Sequence, residues 1–205
     1  MKRIRNPVNV MFSHYPLFQS HLDLAHSYWK MLVKPGDIVV DATCGNGHDT
    51  LVLAQLAFQG TVYTIDIQQK ALNMSRTLLE QHLSSSTLTN IKWIEGCHSQ
   101  FPDEIQPESV KLIVYNLGYL PGGDKNITTL QETTLISIRE AKSLIIPGGA
   151  ICITFYPGHP EGSSEETLLL AQLTSENPQE WNCCHHRWIN RNKSPSLMLM
   201  QRSTR

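Results

Sequence analysis

An α/β fold is predicted for this 205-residue chain, with a doubly wound, mostly parallel seven-stranded sheet and an antiparallel C-terminal hairpin. Three observations predict it. Short Val- and Ile-rich runs alternate with longer segments whose apolar residues recur at helical spacing, the pattern of a parallel sheet fed by helices. The stretch at 39–50, Val-Val-Asp-Ala-Thr-Cys-Gly-Asn-Gly-His-Asp-Thr, passes from a strand through a glycine turn into a helix. The last two apolar runs are joined only by a polar turn, so they pair as a hairpin.

Each element follows from its residues. Residues 17–33 read as a helix, with Leu17, Leu22, Ala25, Trp29 and Leu32 near one face, ended by Pro35-Gly36. Asp37 to Thr43 is the first strand, and 48–58 the next helix, closed by Gly60. Thr61 to Ile67 is the second strand and 69–82 a helix. Ser84 to Asn90 reads as a polar loop, and Ile91 to Glu95 as the third strand. Val110 to Asn116 is nearly all apolar at its centre, as a strand covered on both faces is. Thr129 and Glu132 have capping-box spacing for a helix to about Leu144. Pro147-Gly148-Gly149 breaks the chain before a fifth strand, Ala150 to Tyr156. Ser163 and Glu166 suggest another capping box for a helix to about Thr174. Trp181–Ile189 and Ser196–Met200 are the closing strands. The whole reads as one domain over 1–205, an extension and helix at 1–36 before a core at 37–205.

Composition bounds the function. Forty per cent hydrophobic and 17% charged residues are ordinary for a globular chain. No apolar stretch is long enough for a membrane span. The basic start, Met-Lys-Arg-Ile-Arg-Asn-Pro, lacks the apolar run of a secretory signal. Five cysteines without framework spacing suit reduced thiols in a cytoplasmic protein. A net charge of −1 announces no nucleic acid. Yet residues 181–205 hold Arg187, Arg191, Lys193, Arg202 and Arg205 and no acid, which reads either as a solvated tail or as a phosphate-binding edge. Cys183-Cys-His-His186 invites a metal, but neighbours on a strand point to opposite faces and no second ligand pair follows, so no metal is expected.

Three features gather at the strand ends where open α/β sheets bind ligands. Gly45 and Gly47, with Asn46 between them, form the turn after strand one. Asp66, followed by Ile67, closes strand two about 20 residues on, where an acid can accept both hydroxyls of a ribose. Cys97 and His98 lie just past strand three, where an adenine edge would sit. Dinucleotide sites use three glycines. Here His48, Asp49 and Thr50 follow Gly47 with no third glycine, and Asp49 would repel a pyrophosphate, although it also reads as a helix cap. Asp41, before the turn, suits a cationic or amine-bearing ligand, such as the ammonium and sulfonium of S-adenosylmethionine.

Asp41-Ala-Thr-Cys-Gly-Asn-Gly47 resembles motif I of the Rossmann-like class I S-adenosylmethionine-dependent methyltransferases, which usually carry glycine where this chain has Thr43. Tyr115-Asn-Leu-Gly-Tyr-Leu-Pro-Gly-Gly-Asp-Lys125, with Gly158-His-Pro-Glu-Gly162 and Gly45-Asn-Gly-His-Asp49, is similar to a bacterial family long labelled rRNA methylases. Its characterised members methylate 5-aminomethyl-2-thiouridine at the tRNA wobble position, giving 5-methylaminomethyl-2-thiouridine. The resemblance runs from about Asp37 to Pro195. It implies S-adenosyl-L-methionine as cofactor and tRNA, through its anticodon stem-loop, as partner, with a homodimer left open.

Asn116-Leu-Gly-Tyr119 resembles the Asn-Pro-Pro-Tyr signature of methyltransferases acting on exocyclic amines. The Asn116 side-chain oxygen and the Leu117 carbonyl can accept the amine's N–H groups and aim its lone pair, and Tyr119 can stack on a flipped pyrimidine. Asn116, Leu117 and Tyr119 are therefore the expected catalytic residues. Asp41, Thr43, Gly45, Asn46, Gly47, His48, Asp49, Asp66, Ile67, Cys97, His98 and Asn116 are the expected cofactor set. Gly122, Gly123, Asp124 and Lys125 form a turn that substrate can approach, and Tyr156, His159 and Arg191 flank it. An aminomethyl group is protonated at neutral pH and must lose a proton before attack; His159, His98 or bulk water are candidate bases. A ribosomal RNA base, a small-molecule amine, or a catalytically silent RNA-binding role remain the alternatives.

Overall fold

A computed structural model of the chain describes residues 17–118, 129–158 and 160–205. Tyr119, Gly122, Gly123, Asp124, Lys125 and His159 lie outside the described residues. In chain order the elements are α1 (His21–Leu32), β1 (Ile38–Asp41), α2 (His48–Leu56), β2 (Thr61–Asp66), α3 (Gln69–His82), α4 (Ser85–Leu88), β3 (Ile91–Glu95), β4 (Val110–Leu117), α5 (Gln131–Leu144), β5 (Ile145–Phe155), α6 (Pro160–Leu173), β6 (Trp181–His186) and β7 (Ser196–Arg202).

The seven strands form one sheet in the order β3-β2-β1-β4-β5-β7-β6. β1 to β5 run parallel, whereas β7 is antiparallel to both β5 and β6. Strand order reverses between β1 and β4, which makes their C-terminal ends the switch point. Two apolar layers cover the sheet. Ala25 and Trp29 of α1, Leu53 and Ala54 of α2 and Leu79 of α3 pack on one face. Ile138, Ala141 and Leu144 of α5 and Leu169 and Leu173 of α6 pack on the other.

Several boundaries differ from the sequence expectations, each for a local reason. The first helix starts at His21, not Leu17, because the Ser20 side chain accepts the Asp23 backbone N–H at 3.1 Å and caps it. The expected loop at 84–90 holds the short helix α4, capped by Ser84. Thr129 does not cap α5: its hydroxyl donates to Glu165 at 2.8 Å, and the cap position is Leu130. Ser163 lies inside α6, which begins at Pro160. β5 starts at Ile145, before the Pro-Gly-Gly, and its register with β4 shifts there.

Candidate active site

The turn after β1 is built by two aspartates. Asp41, without exposed surface, accepts the Thr43 backbone N–H at 3.2 Å and the Thr50 hydroxyl at 2.6 Å. Both of its oxygens are thus committed, and it shapes the turn from beneath. Thr50, to which the sequence assigned no role, is the buried donor that ties the turn to the first turn of α2. Burial, reinforced by the negative charge of Asp49, pushes the Asp41 carboxyl up to about 7. Asp66 accepts the Gly45 N–H and the Gln68 N–H, each at 2.9 Å. Gly45 and Gly47 both have positive φ, 52° and 84°. A Cβ on Gly47 would also lie 2.2 Å from the Ser75 hydroxyl of α3, so the second glycine is required twice over.

These residues fit S-adenosylmethionine. Asp66 stays half-exposed, and each carboxylate oxygen, already holding one backbone N–H, keeps a further acceptor site for a ribose hydroxyl. Ile67 beside it is 61% exposed, a large apolar side chain on which an adenine face can lie. Asp49 and Asp66 put carboxylates at the strand ends, where a cationic ligand is favoured. His48, which opens α2, is exposed, and Asn46 and Cys97 are half-buried. His98 is buried against α5: its Nε2 lies 3.4 Å from the Thr134 hydroxyl, and its carbonyl accepts the Ser137 hydroxyl at 2.7 Å. Burial lowers its pKa to about 4, so the ring is neutral.

Asn116, near the end of β4, is fixed from two sides. Its backbone N–H donates to the Thr43 hydroxyl at 2.7 Å. Its side-chain Nδ2 donates to Asp49 at 2.5 Å, and its Oδ1 lies 3.5 Å from the Tyr156 hydroxyl. An ionised carboxylate only accepts, so Asp49 sets which end of the amide is nitrogen and leaves the oxygen pointing the other way. The second Asp49 oxygen meets His26 Nε2 at 2.6 Å. With both oxygens engaged by side chains, Asp49 positions the site rather than capping its helix. Leu117 is buried at the last position of the strand.

Helix α1 supplies residues that the sequence reading missed. Both His26 and His21 reach the site, His21 Nε2 lying 3.4 Å from the Tyr156 hydroxyl. The available signal was two histidines five residues apart on one helix, which their spacing does not tie to β4 or β5. Further out, Phe18 meets Trp188 edge-on at 5.2 Å, and the Arg191 guanidinium lies 4.3 Å over the Trp188 ring. Ile189 beside them is 90% exposed. On β6, Cys184 Sγ lies 3.4 Å from His186, which faces Tyr28, whereas His185 turns to Glu166 and Ser196. Among the described residues no group of three or more such side chains gathers as a metal site, and no helix is long and apolar enough to cross a membrane.

Comparison with known proteins meets this geometry. Residues 62–202 match the family described as "Putative rRNA methylase". The chain is 38% identical over 186 residues to an Arabidopsis thaliana protein named tRNA (mnm(5)s(2)U34)-methyltransferase, chloroplastic, spanning 87% of this chain and 68% of that one. A Clostridium thermocellum structure with the same description as the family superposes with a TM-score of 0.85 at 35% identity, over 90% of this chain and 98% of that one. A Streptococcus mutans structure, a methyltransferase by its description and solved in complex with SAH, gives 0.79 at 28% identity, over 90% and 99%. The chain therefore belongs to the rRNA methylase family so described, as a class I methyltransferase that uses S-adenosylmethionine.

Proposed function

We propose that this methyltransferase acts on the exocyclic amine of 5-aminomethyl-2-thiouridine at the tRNA wobble position, giving 5-methylaminomethyl-2-thiouridine. The observation that carries the reading is the Asn116 amide, held by Thr43 and Asp49 so that its oxygen faces away from the carboxylate. An oxygen fixed in this way suits an N–H donor, and an amine bound there has its lone pair oriented by the strand rather than by chance. Bound S-adenosylmethionine supplies a methyl carbon on a sulfonium, which departs as a neutral thioether when the N–C bond forms. Asp66, Ile67 and the Gly45–Gly47 turn would hold that cofactor, with Asn46, His48 and Cys97 at its margin. Asp49 favours positive charge beside it. Tyr119 and residues 122–125 are assigned to the substrate by the resemblance of their sequence.

The RNA part of the reading is supported by the name of the Arabidopsis relative. The edge formed by Phe18, Trp188, Ile189 and Arg191 fits it, because stacking surfaces beside a guanidinium suit unpaired bases and their phosphates. All five cysteines are free, as suits the reducing cytoplasm where we place the enzyme. The test is methyl transfer in vitro onto undermethylated tRNA, with the product nucleoside identified by mass spectrometry. A labelled 5-methylaminomethyl-2-thiouridine is expected. Label appearing only in ribosomal RNA or in a small amine would overturn the wobble assignment.

A further inference from the structure

The Tyr156 hydroxyl lies between two groups at distances that are both long, 3.5 Å from Asn116 Oδ1 and 3.4 Å from His21 Nε2. Direct hydrogen bonds of these types are nearer 2.7–3.0 Å, approximately. Two oxygens 3.5 Å apart leave room for a nitrogen about 2.9 Å from each. The His21 and Tyr156 rings meet edge to face, 5.6 Å between centroids at 86°, so Nε2 is held toward the hydroxyl.

We propose that His21, from the helix ahead of the core, is the proton acceptor for the substrate ammonium, reached through the Tyr156 hydroxyl. The inference rests on the amine-methylation reading above. The ammonium donates one N–H to Asn116 Oδ1 and another to Tyr156 Oη. Tyr156 takes that proton as it passes its own to His21 Nε2. One N–H bond of the substrate breaks and one forms on the imidazole. The amine is left neutral and His21 as imidazolium, and a turn about the substrate C–N bond swings the new lone pair from the Tyr156 hydroxyl toward the methyl.

The surroundings suit both states of the ring. Burial lowers the His21 pKa, opposed by Asp49 and Asp23, so the resting ring is neutral, and its uphill protonation by the ammonium is drawn forward by methyl transfer. The groups facing it are Asp23 on its own helix, Asp49 from α2 and Tyr156 after β5. Asp49, anchored by His26 and Asn116, keeps a negative charge beside the imidazolium as it forms. His98 has no such geometry, since its ring is turned into the seam with α5.

The experiment compares wild type and His21→Gln in single turnover on tRNA carrying 5-aminomethyl-2-thiouridine, from pH 6 to 9.5. Wild type should be nearly flat above the low pKa of His21. The variant should lose about a hundredfold at pH 7 and regain about tenfold per pH unit, with unchanged cofactor affinity. A pH titration of the free protein followed by imidazole NMR should show the His21 ring neutral at pH 7, with Nε2 unprotonated. A loss equal at every pH, no loss, or a protonated ring at pH 7 would overturn the assignment. If wild type itself leaves this tRNA unmethylated, the functional reading falls and takes this proposal with it. An active wild type with an unshifted variant profile removes His21 alone.

Discussion

The Thr43 hydroxyl accepts the backbone N–H of Asn116 at 2.7 Å, joining the glycine turn after β1 to the residue we propose to face the substrate. Sheet register brings the two together. Asp41 lies opposite Val114 on the neighbouring parallel strand, and two residues further on stand Thr43, just past β1, and Asn116 of β4. A glycine at position 43, usual in the wider class, has no oxygen to offer. Thr43→Ala should therefore leave an N–H without its partner, costing about 1–3 kcal/mol and lowering kcat by loosening the amide. Thr43→Ser should retain most of both. Thermal melting and steady-state kinetics on the two variants check this, and equal behaviour of Ala and Ser would show that the hydroxyl contributes nothing.

Orientation and cofactor binding should separate by residue. Asn116→Ala removes the oxygen proposed to receive the amine and should lower kcat about a hundredfold with little change in cofactor Kd. Asp66→Ala should do the reverse. It removes the candidate ribose acceptor and frees the Gly45 and Gln68 N–H groups, so cofactor Kd should rise at least about tenfold. Calorimetry of cofactor binding alongside single-turnover rates decides it, and a pair of variants that moved only Kd would refute the division of roles.

Asp49 should act through Asn116. Its Oδ2 holds the Asn116 amide and its Oδ1 the His26 ring. Asp49→Ala should cost at least as much kcat as Asn116→Ala, since it also faces His21, and the double variant little more than Asp49→Ala alone, because the amide orientation is already lost. Additive losses in a double-mutant cycle would show that the two residues act separately.

Much of this arrangement was legible in the sequence, and the remainder has a physical reason for being hidden. Apolar alternation located all seven strands, and the helix-free turn at 190–195 foretold the antiparallel β6–β7 pair. Asp66 stood out because acid, glycines and second acid keep a spacing set by one βαβ unit. His21 and His26 did not, because α1 precedes the first strand and no local spacing tells which end of the sheet it crosses. Only the packing of α1 on the sheet puts His26 on Asp49, 23 residues away, and His21 on Tyr156, 135 away. The role of Asp49 was obscured by its position, since an acid in the first turn of a helix normally reads as a cap. Thr129 and Ser163 show the opposite failure: the capping spacing was present, but Glu165 took the Thr129 hydroxyl and α6 began at Pro160.

The edge around Trp188 gives a prediction that involves RNA alone. Arg191→Ala and Trp188→Ala should weaken tRNA binding while leaving cofactor Kd unchanged. The arginine variant should also flatten the salt dependence, by about 0.7 in the slope of log K against log salt for one single-strand phosphate contact. The tryptophan variant should lower affinity by about 1–3 kcal/mol of lost stacking at every salt concentration. Filter binding across a salt series distinguishes them, and unchanged affinity in both would place the RNA on another face.

Asp41 makes a prediction about stability. Its carboxyl is pushed up to about 7 in the folded protein, first by burial and then by Asp49, against 3.8 ordinarily. The folded state thus holds this proton more tightly than the unfolded chain. The stabilising contribution is complete below about pH 3.8 and disappears as pH rises to about 7. Above that the buried charge costs on the order of a few kcal/mol. Asp41→Asn removes the titration and can keep both contacts: its oxygen accepts the Thr43 N–H, and the Thr50 hydroxyl turns to accept from the new amide. Urea unfolding at intervals from pH 4.5 to 8.5 should show wild type losing stability against the variant up to about pH 7, then a constant gap with the variant ahead. A variant that is less stable at pH 8, with the wild-type slope intact, would mean that Asp41 is folded as a carboxylate throughout and that the Thr43 and Thr50 hydrogen bonds outweigh its burial.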